Sequence, residues 1–118
     1  METSKKRVPG SIKISEGVIV KIAETAVREI DGAVIGGRSG RSARPGRPVR
    51  VRMLGESAAI HLAITVAEGF NAASVAESVQ RSVKSAVQNM SGLTVTKVDV
   101  SVMGVEFPDS AGTVQQQG

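Results

Sequence analysis

Residues 58–67 read Ala-Ala-Ile-His-Leu-Ala-Ile-Thr-Val-Ala. Ile60, Leu62, Ile64 and Val66 recur at every second position, which is the period of a β-strand. Between them stand Ala59, His61, Ala63, Thr65 and Ala67, mostly small. The strand therefore has one bulky apolar face and one thin, semi-polar face. The bulky face needs a layer packed on it, and the flanking sequence offers two helices that could supply one.

Upstream, Val49, Val51 and Met53 alternate with Arg50 and Arg52, a second strand. Leu54-Gly55-Glu56-Ser57 turns it into the central strand as an antiparallel hairpin. The segment before it, residues 36–48, is built of Gly, Arg, Ser and Pro and reads as a flexible loop. Ala33–Ile35 is short enough for only a brief strand. From Glu16 to Ile30, the residues Val18, Ile19, Ile22, Ala23, Ala26, Val27 and Ile30 recur at helical spacing. Ser15 is suited to cap this helix and Asp31-Gly32 to end it.

Downstream, Glu68-Gly69 breaks the central strand and Asn71 is suited to cap a second helix, which runs to about Met90. Val75, Val79, Val83 and Val87 lie one turn apart on a single stripe. Ser91-Gly92 closes the helix. A last strand carries Val98, Val100 and Val102 on one side and Lys97, Asp99 and Ser101 on the other, with Gly104 shifting the phase. The expected fold class is α+β: a two-layer sandwich of core order helix-strand-strand-helix-strand, two helices on one face of a small mixed sheet. The last strand runs parallel to the central one through the second helix. Arg50, Arg52, His61, Thr65, Lys97, Asp99 and Ser101 fall on the uncovered face. Residues 1–9 are expected as a mobile basic arm, residues 10–107 as a single domain, and residues 108–118 as a disordered tail.

The chain of 118 residues has room for one core. Aromatics amount to 2%, Phe70 and Phe107, so the core is aliphatic. The absence of cysteine excludes disulfides, thiol chemistry and thiolate metal sites. No apolar run reaches the roughly 20 residues of a membrane span, and Pro9, Gly10, Lys13 and Glu16 interrupt the segment behind Lys5-Lys6-Arg7 where a signal peptide would be apolar. The expected location is cytoplasmic, peripheral to the inner face of the cell membrane if a partner holds it there.

No residue pattern points to catalysis or to a cofactor. His61 is the single histidine. It has no nucleophile in a recognisable motif and no second histidine for a metal. No serine sits in a Gly-x-Ser-x-Gly elbow, and the carboxylates fall on solvent faces. The arginines are more informative. The net charge is +4, and Arg38, Arg41, Arg44, Arg47, Arg50 and Arg52 crowd one segment. The first five recur every third residue, so an extended chain of about 3 residues per turn would align them on one side. Such a strip binds anions, either acidic lipid headgroups or phosphates of nucleic acid. The same pattern also fits a solvated loop with no partner. Without Trp or Tyr there is little on which bases could stack.

The chain resembles the alkaline-shock-protein family, cell-envelope stress proteins of Gram-positive bacteria. The matching residues are Gly10-Ser-Ile-Lys-Ile-Ser15, Val18-Ile-Val-Lys-Ile-Ala23 and Glu29-Ile-Asp-Gly32. They continue through the central strand to Val75-Ala-Glu-Ser-Val-Gln80, Val83, Met90-Ser-Gly-Leu93 and Val98-Asp-Val-Ser-Val-Met-Gly-Val105. Gln80 and Ser91-Gly92-Leu93 are the most specific of these. The resemblance implies a non-enzymatic, self-associating domain of envelope stress response or homeostasis. It implies as partners further copies of the same chain and a membrane-embedded anchor protein. Anionic lipid is a further candidate, and a nucleic-acid-binding module acting through the arginine-rich loop is the alternative.

Overall fold

The computed structural model describes residues 10–35 and 48–107. In chain order its elements are α1 (Glu16–Arg28), β1 (Ala33–Ile35), β2 (Val49–Leu54), β3 (Ser57–Ala67), α2 (Ala72–Ser91) and β4 (Thr94–Glu106). This is the expected helix-strand-strand-helix-strand order, with the brief strand β1 added after the first helix.

Local chemistry sets the helix ends. The Ser15 hydroxyl accepts the Val18 N–H at 3.4 Å, and Glu16 places a negative charge in the first turn of α1. Ile19, Ile22, Ala23, Ala26 and Val27 form its buried stripe. The Asn71 side chain accepts the Ser74 N–H at 2.9 Å to start α2, and Val75, Val79, Val83 and Val87 are all buried. At the other end, the Ser91 hydroxyl donates to the Val87 carbonyl at 2.6 Å and accepts the Leu93 N–H at 3.1 Å. Gly92 takes the left-handed conformation, φ 81°, that a side chain would disfavour. Val18, expected on the apolar face of the first helix, is exposed instead, and so is Met90 near the end of the second. They stand in the first and last turns, beyond the residues that reach the sheet.

β3 is the middle of the sheet. β2 pairs with it antiparallel, Arg50 opposite His61 and Val51 opposite Ile60. β4 pairs with it parallel along its whole length, from Ser57 opposite Thr94 to Ala67 opposite Glu106. β1 pairs antiparallel at the far end, Ile35 opposite Ile64. A strand has only two edges, and β4 takes one, so β1 and β2 share the other end to end. The join is tight. Ile35 stands opposite Ile64, Val49 opposite Leu62, and the Pro48 carbonyl accepts the N–H of Ala63, between them, at 2.8 Å.

α1 packs on β1 and β2, α2 packs on β4, and the helices touch each other. Ile19, Val27, Val49, Ile60, Leu62, Ile64, Val66, Val79, Val83 and Val87 are fully buried between the layers. Each such side chain contributes roughly 1.5–3 kcal/mol relative to exposure. On the other face Arg50, Arg52, His61, Lys97 and Asp99 are exposed, as the alternation requires, and Ser101 is half-buried. Thr65 departs from expectation. It shares that face by period, yet only 6% of it is exposed. Its neighbours in register are Val34 on β1 and Gly104 on β4. β4 also slips register twice, between Ala58 and Ala59 and between Ile64 and Thr65. The second slip falls at Met103-Gly104, the position of the expected phase shift.

Candidate interaction surface

The open face of the sheet is a small charged lattice. In one row Arg50, His61 and Asp99 stand side by side on β2, β3 and β4. In the next row Arg52 and Lys97 flank Ala59. Lys97 Nζ lies 3.4 Å from the Asp99 carboxylate, and His61 Nδ1 lies 3.9 Å from the same oxygen. These side chains are about half exposed, so each pair is worth no more than about 1 kcal/mol. His61 therefore faces a carboxylate. Ser101 belongs to the same neighbouring strand as Asp99 and makes no hydrogen bond to His61, whereas a catalytic triad needs hydroxyl and carboxylate on opposite ring nitrogens.

Of the arginines singled out by sequence, Arg50 and Arg52 project from β2 onto this face. Arg38, Arg41, Arg44 and Arg47 lie outside the described residues, as does most of the expected loop 36–48. Its last residue, Pro48, is already docked against β3. Among the described residues no group of three or more His, Asp or Glu is placed to hold a metal ion. Among them, too, no helix is long and apolar enough to cross a membrane.

The outer edge of β4 adds a feature that sequence reasoning missed. The Gln88 side-chain oxygen accepts the Val95 N–H, and the Gln80 side-chain amide donates to the Val98 carbonyl, each at 3.0 Å. Both glutamines project from α2. They cap the first part of an edge that would otherwise present bare backbone groups. Beside them runs a groove between α2 and β4, lined by Arg81, Lys84, Thr96 and Lys97 among others. Past Val98 no further α2 side chain among the described residues is bonded to this edge, and Val102, Met103, Val105 and Phe107 are 38%, 55%, 52% and 56% exposed. The sequence signal was present in part. Val105 and Phe107 were legible as apolar residues beyond the phase shift, but the reach of α2 was not.

The model of the alkaline shock protein 23 family, described as having a cell envelope-related function, matches residues 4–107. The uncharacterized protein YqhY of Bacillus subtilis (strain 168) is 27% identical over 115 residues, covering 90% of this chain and 84% of that protein. Among solved structures, a doubly substituted MamM CTD aligns with a TM-score of 0.51 at 18% identity, covering 89% of this chain and 100% of that one. A copper form of a singly substituted MamM CTD aligns with a TM-score of 0.50 at 17% identity, covering 76% and 98%. At such identities these two structures speak to the fold alone.

Proposed function

The chain belongs to the alkaline shock protein 23 family, a family of cell envelope-related function, and from that premise we propose that it is a non-enzymatic, self-associating scaffold held at the inner face of the cell membrane by a membrane-embedded partner. The observation that supports this reading most directly is the one-sided cover of the sheet. Both helices lie on one face, and the other is left with Arg50, Arg52, His61, Lys97 and Asp99 exposed. A polar, half-wet face of this kind suits docking between protein surfaces better than it suits a reaction, which needs a concave, water-excluding site. A scaffold uses such surfaces to hold copies and partners together.

A second reading is supported by Arg50, Arg52 and Lys97, three cations on neighbouring strands of that face. They would bind phosphates, and the chain would then be a nucleic-acid-binding module. Fractionation separates the two readings. A scaffold held by a protein partner sediments with membranes and stays there through a high-salt wash. An electrostatic lipid ligand is released by that wash, because exposed charges are screened beyond about 10 Å at 0.1 M salt. A nucleic-acid binder instead co-sediments with RNA, with affinity that falls steeply as salt rises. Recovery of the chain wholly in the soluble fraction, as a monomer without RNA, would end both readings.

A further inference from the structure

We propose that two copies of this chain pair through the part of the β4 edge beyond the glutamine cover, Val100 to Val105, joining their sheets antiparallel across a two-fold axis. The proposal rests on the self-association part of the reading above and assigns it an interface. Val95 N–H and Val98 C=O bond to α2 side chains, so these groups point away from β3. The carbonyl of Glu106 accepts the Glu68 N–H at 2.9 Å, so that residue points toward the β3 side. Strand alternation, with the extra residue at Met103, then turns the backbone of Val100, Val102 and Val105 outward. The free segment begins where the glutamine cover stops.

The side chains agree with the backbone. Val102, Met103, Val105 and Phe107 are the exposed apolar residues of this end of the sheet, and an added strand would cover them. The segments of the chain outside the described residues have little to cover them with. Residues 1–9 hold two large apolar residues, Met1 and Val8, residues 36–47 one apolar residue, Ala43, and residues 108–118 two, Ala111 and Val114. A second copy brings the same valine-rich edge and satisfies both edges in one contact, the self-complementary pattern of a two-fold interface. A two-fold register centred on Val102, with Met103 as the extra residue of each strand, pairs Val100 with Val105. The like charges Asp99 and Glu106 then meet at the two ends of the contact, where Lys97 Nζ lies 3.4 Å from the Asp99 carboxylate. The outer edge of β2 suits the role less well. It is shorter, six residues against thirteen, and carries Arg50 and Arg52, charges that protect an edge from pairing.

The absence of cysteine makes the test clean. In the full chain, Val102→Cys is expected to form a disulfide-linked dimer under mild oxidation, while Lys21→Cys, on the exposed face of α1, is not. In the cysteine-free chain, Val102→Lys and Val105→Lys are each expected to raise the dimer dissociation constant about tenfold or more, because pairing would bury an added charge. Thermal unfolding of the lysine variants, followed by circular dichroism, establishes that they fold. Wild-type-like association in both folded lysine variants would overturn the β4 interface while leaving the self-association reading intact. A chain that stays monomeric up to about 1 mM, the concentration that matches a binding free energy of roughly −4 kcal/mol, would overturn both. Association that appears only when the chain is cut after Phe107 would show that residues 108–118 occupy the edge, and would also overturn the proposal.

Discussion

The ring of Phe70 lies against the backbone of Gly32, so close that a β-carbon on Gly32 would stand 2.6 Å from two of its ring atoms. The contact joins the segment after α1 to the residue before the cap of α2. Gly32 also has φ +89°, a conformation that costs a side-chain-bearing residue about 1–2 kcal/mol. Its carbonyl accepts the Ala67 N–H at 2.8 Å, so the backbone there cannot shift without loosening the end of β3. Gly32→Ala is therefore expected to cost about 2–5 kcal/mol, the backbone strain plus a steric term of the size met on overpacking. Pairing it with Phe70→Ala should recover the steric part and leave the backbone part. Chemical denaturation of the two single variants and the double variant measures this. Additive losses would show that the ring does not press on Gly32.

The core supplies a second expectation. Leu62 is fully buried at the middle of β3, so Leu62→Ala should cost about 2–5 kcal/mol. Ala63 stands next to it on the thin face and is only partly buried. Ala63→Ser should cost much less. Equal losses in urea denaturation would mean that the two faces are not as distinct as their burial.

These two predictions also mark what could be read from the sequence. The facing of Leu62 follows from alternation alone, as do the valine stripe of α2 and the hairpin at Gly55. The resemblance, too, was carried by residues now seen at work: Gln80 holds the Val98 carbonyl, and Ser91-Gly92-Leu93 builds the end of α2. The end of α2 at Ser91-Gly92 was legible, but the role of Gln80 was not, because a polar helical residue looks the same whether it meets solvent or a strand edge. The same reason hid the contact between Phe70 and Gly32 and the burial of Thr65, which depend on neighbours distant in the chain. Of the candidate site, Arg50 and Arg52 were placed on the open face by the period of β2. That β1 and β2 form two parts of one edge could not be read, since strand register is set by pairing partners that the local pattern does not name.

Gln88 offers a residue-level measurement. Its side-chain oxygen accepts the Val95 N–H at the edge of the sheet. Gln88→Ala should cost about 0.5–1.5 kcal/mol, the usual net value of one hydrogen bond, and should speed hydrogen exchange at the Val95 amide. Exchange at the neighbouring Thr94 amide, which donates to the Glu56 carbonyl, should change less. Unaltered exchange at Val95 would mean that the glutamine does not protect that edge.

Asp99 should matter little to stability. Its carboxylate is half exposed and serves both Lys97 and His61, and pairs of that kind are worth about 0–1 kcal/mol. Asp99→Asn should therefore change stability by less than about 1 kcal/mol. The gap between variant and wild type should narrow further as salt is raised. A loss of several kcal/mol in the same denaturation assay would show that the charged row is part of the structural framework and not a surface available to partners.

The last expectation concerns the residues between β1 and β2. Ile35, Pro48 and Val49 meet Ile64, Ala63 and Leu62 in sequence along one edge of β3. The two ends of the intervening segment are thus neighbours on the sheet, although twelve residues, 36–47, separate them in the chain. A short Gly-Ser connection should replace that segment without disturbing either strand. Loop entropy changes slowly with length, about 0.6 kcal/mol per doubling, so the shortened chain should lie within about 1 kcal/mol of the original. Replacing Arg38, Arg41, Arg44 and Arg47 with Ser should change folding as little. Both variants should weaken any binding to anionic vesicles or RNA, and the salt slope should fall by about one for each phosphate no longer neutralised. Arg50 and Arg52 remain in both variants, so the part of the binding that survives measures the open face alone. A large loss of stability on shortening would show that residues 36–47 pack on the domain. Unchanged affinity and salt slope would show that the four arginines meet no anion.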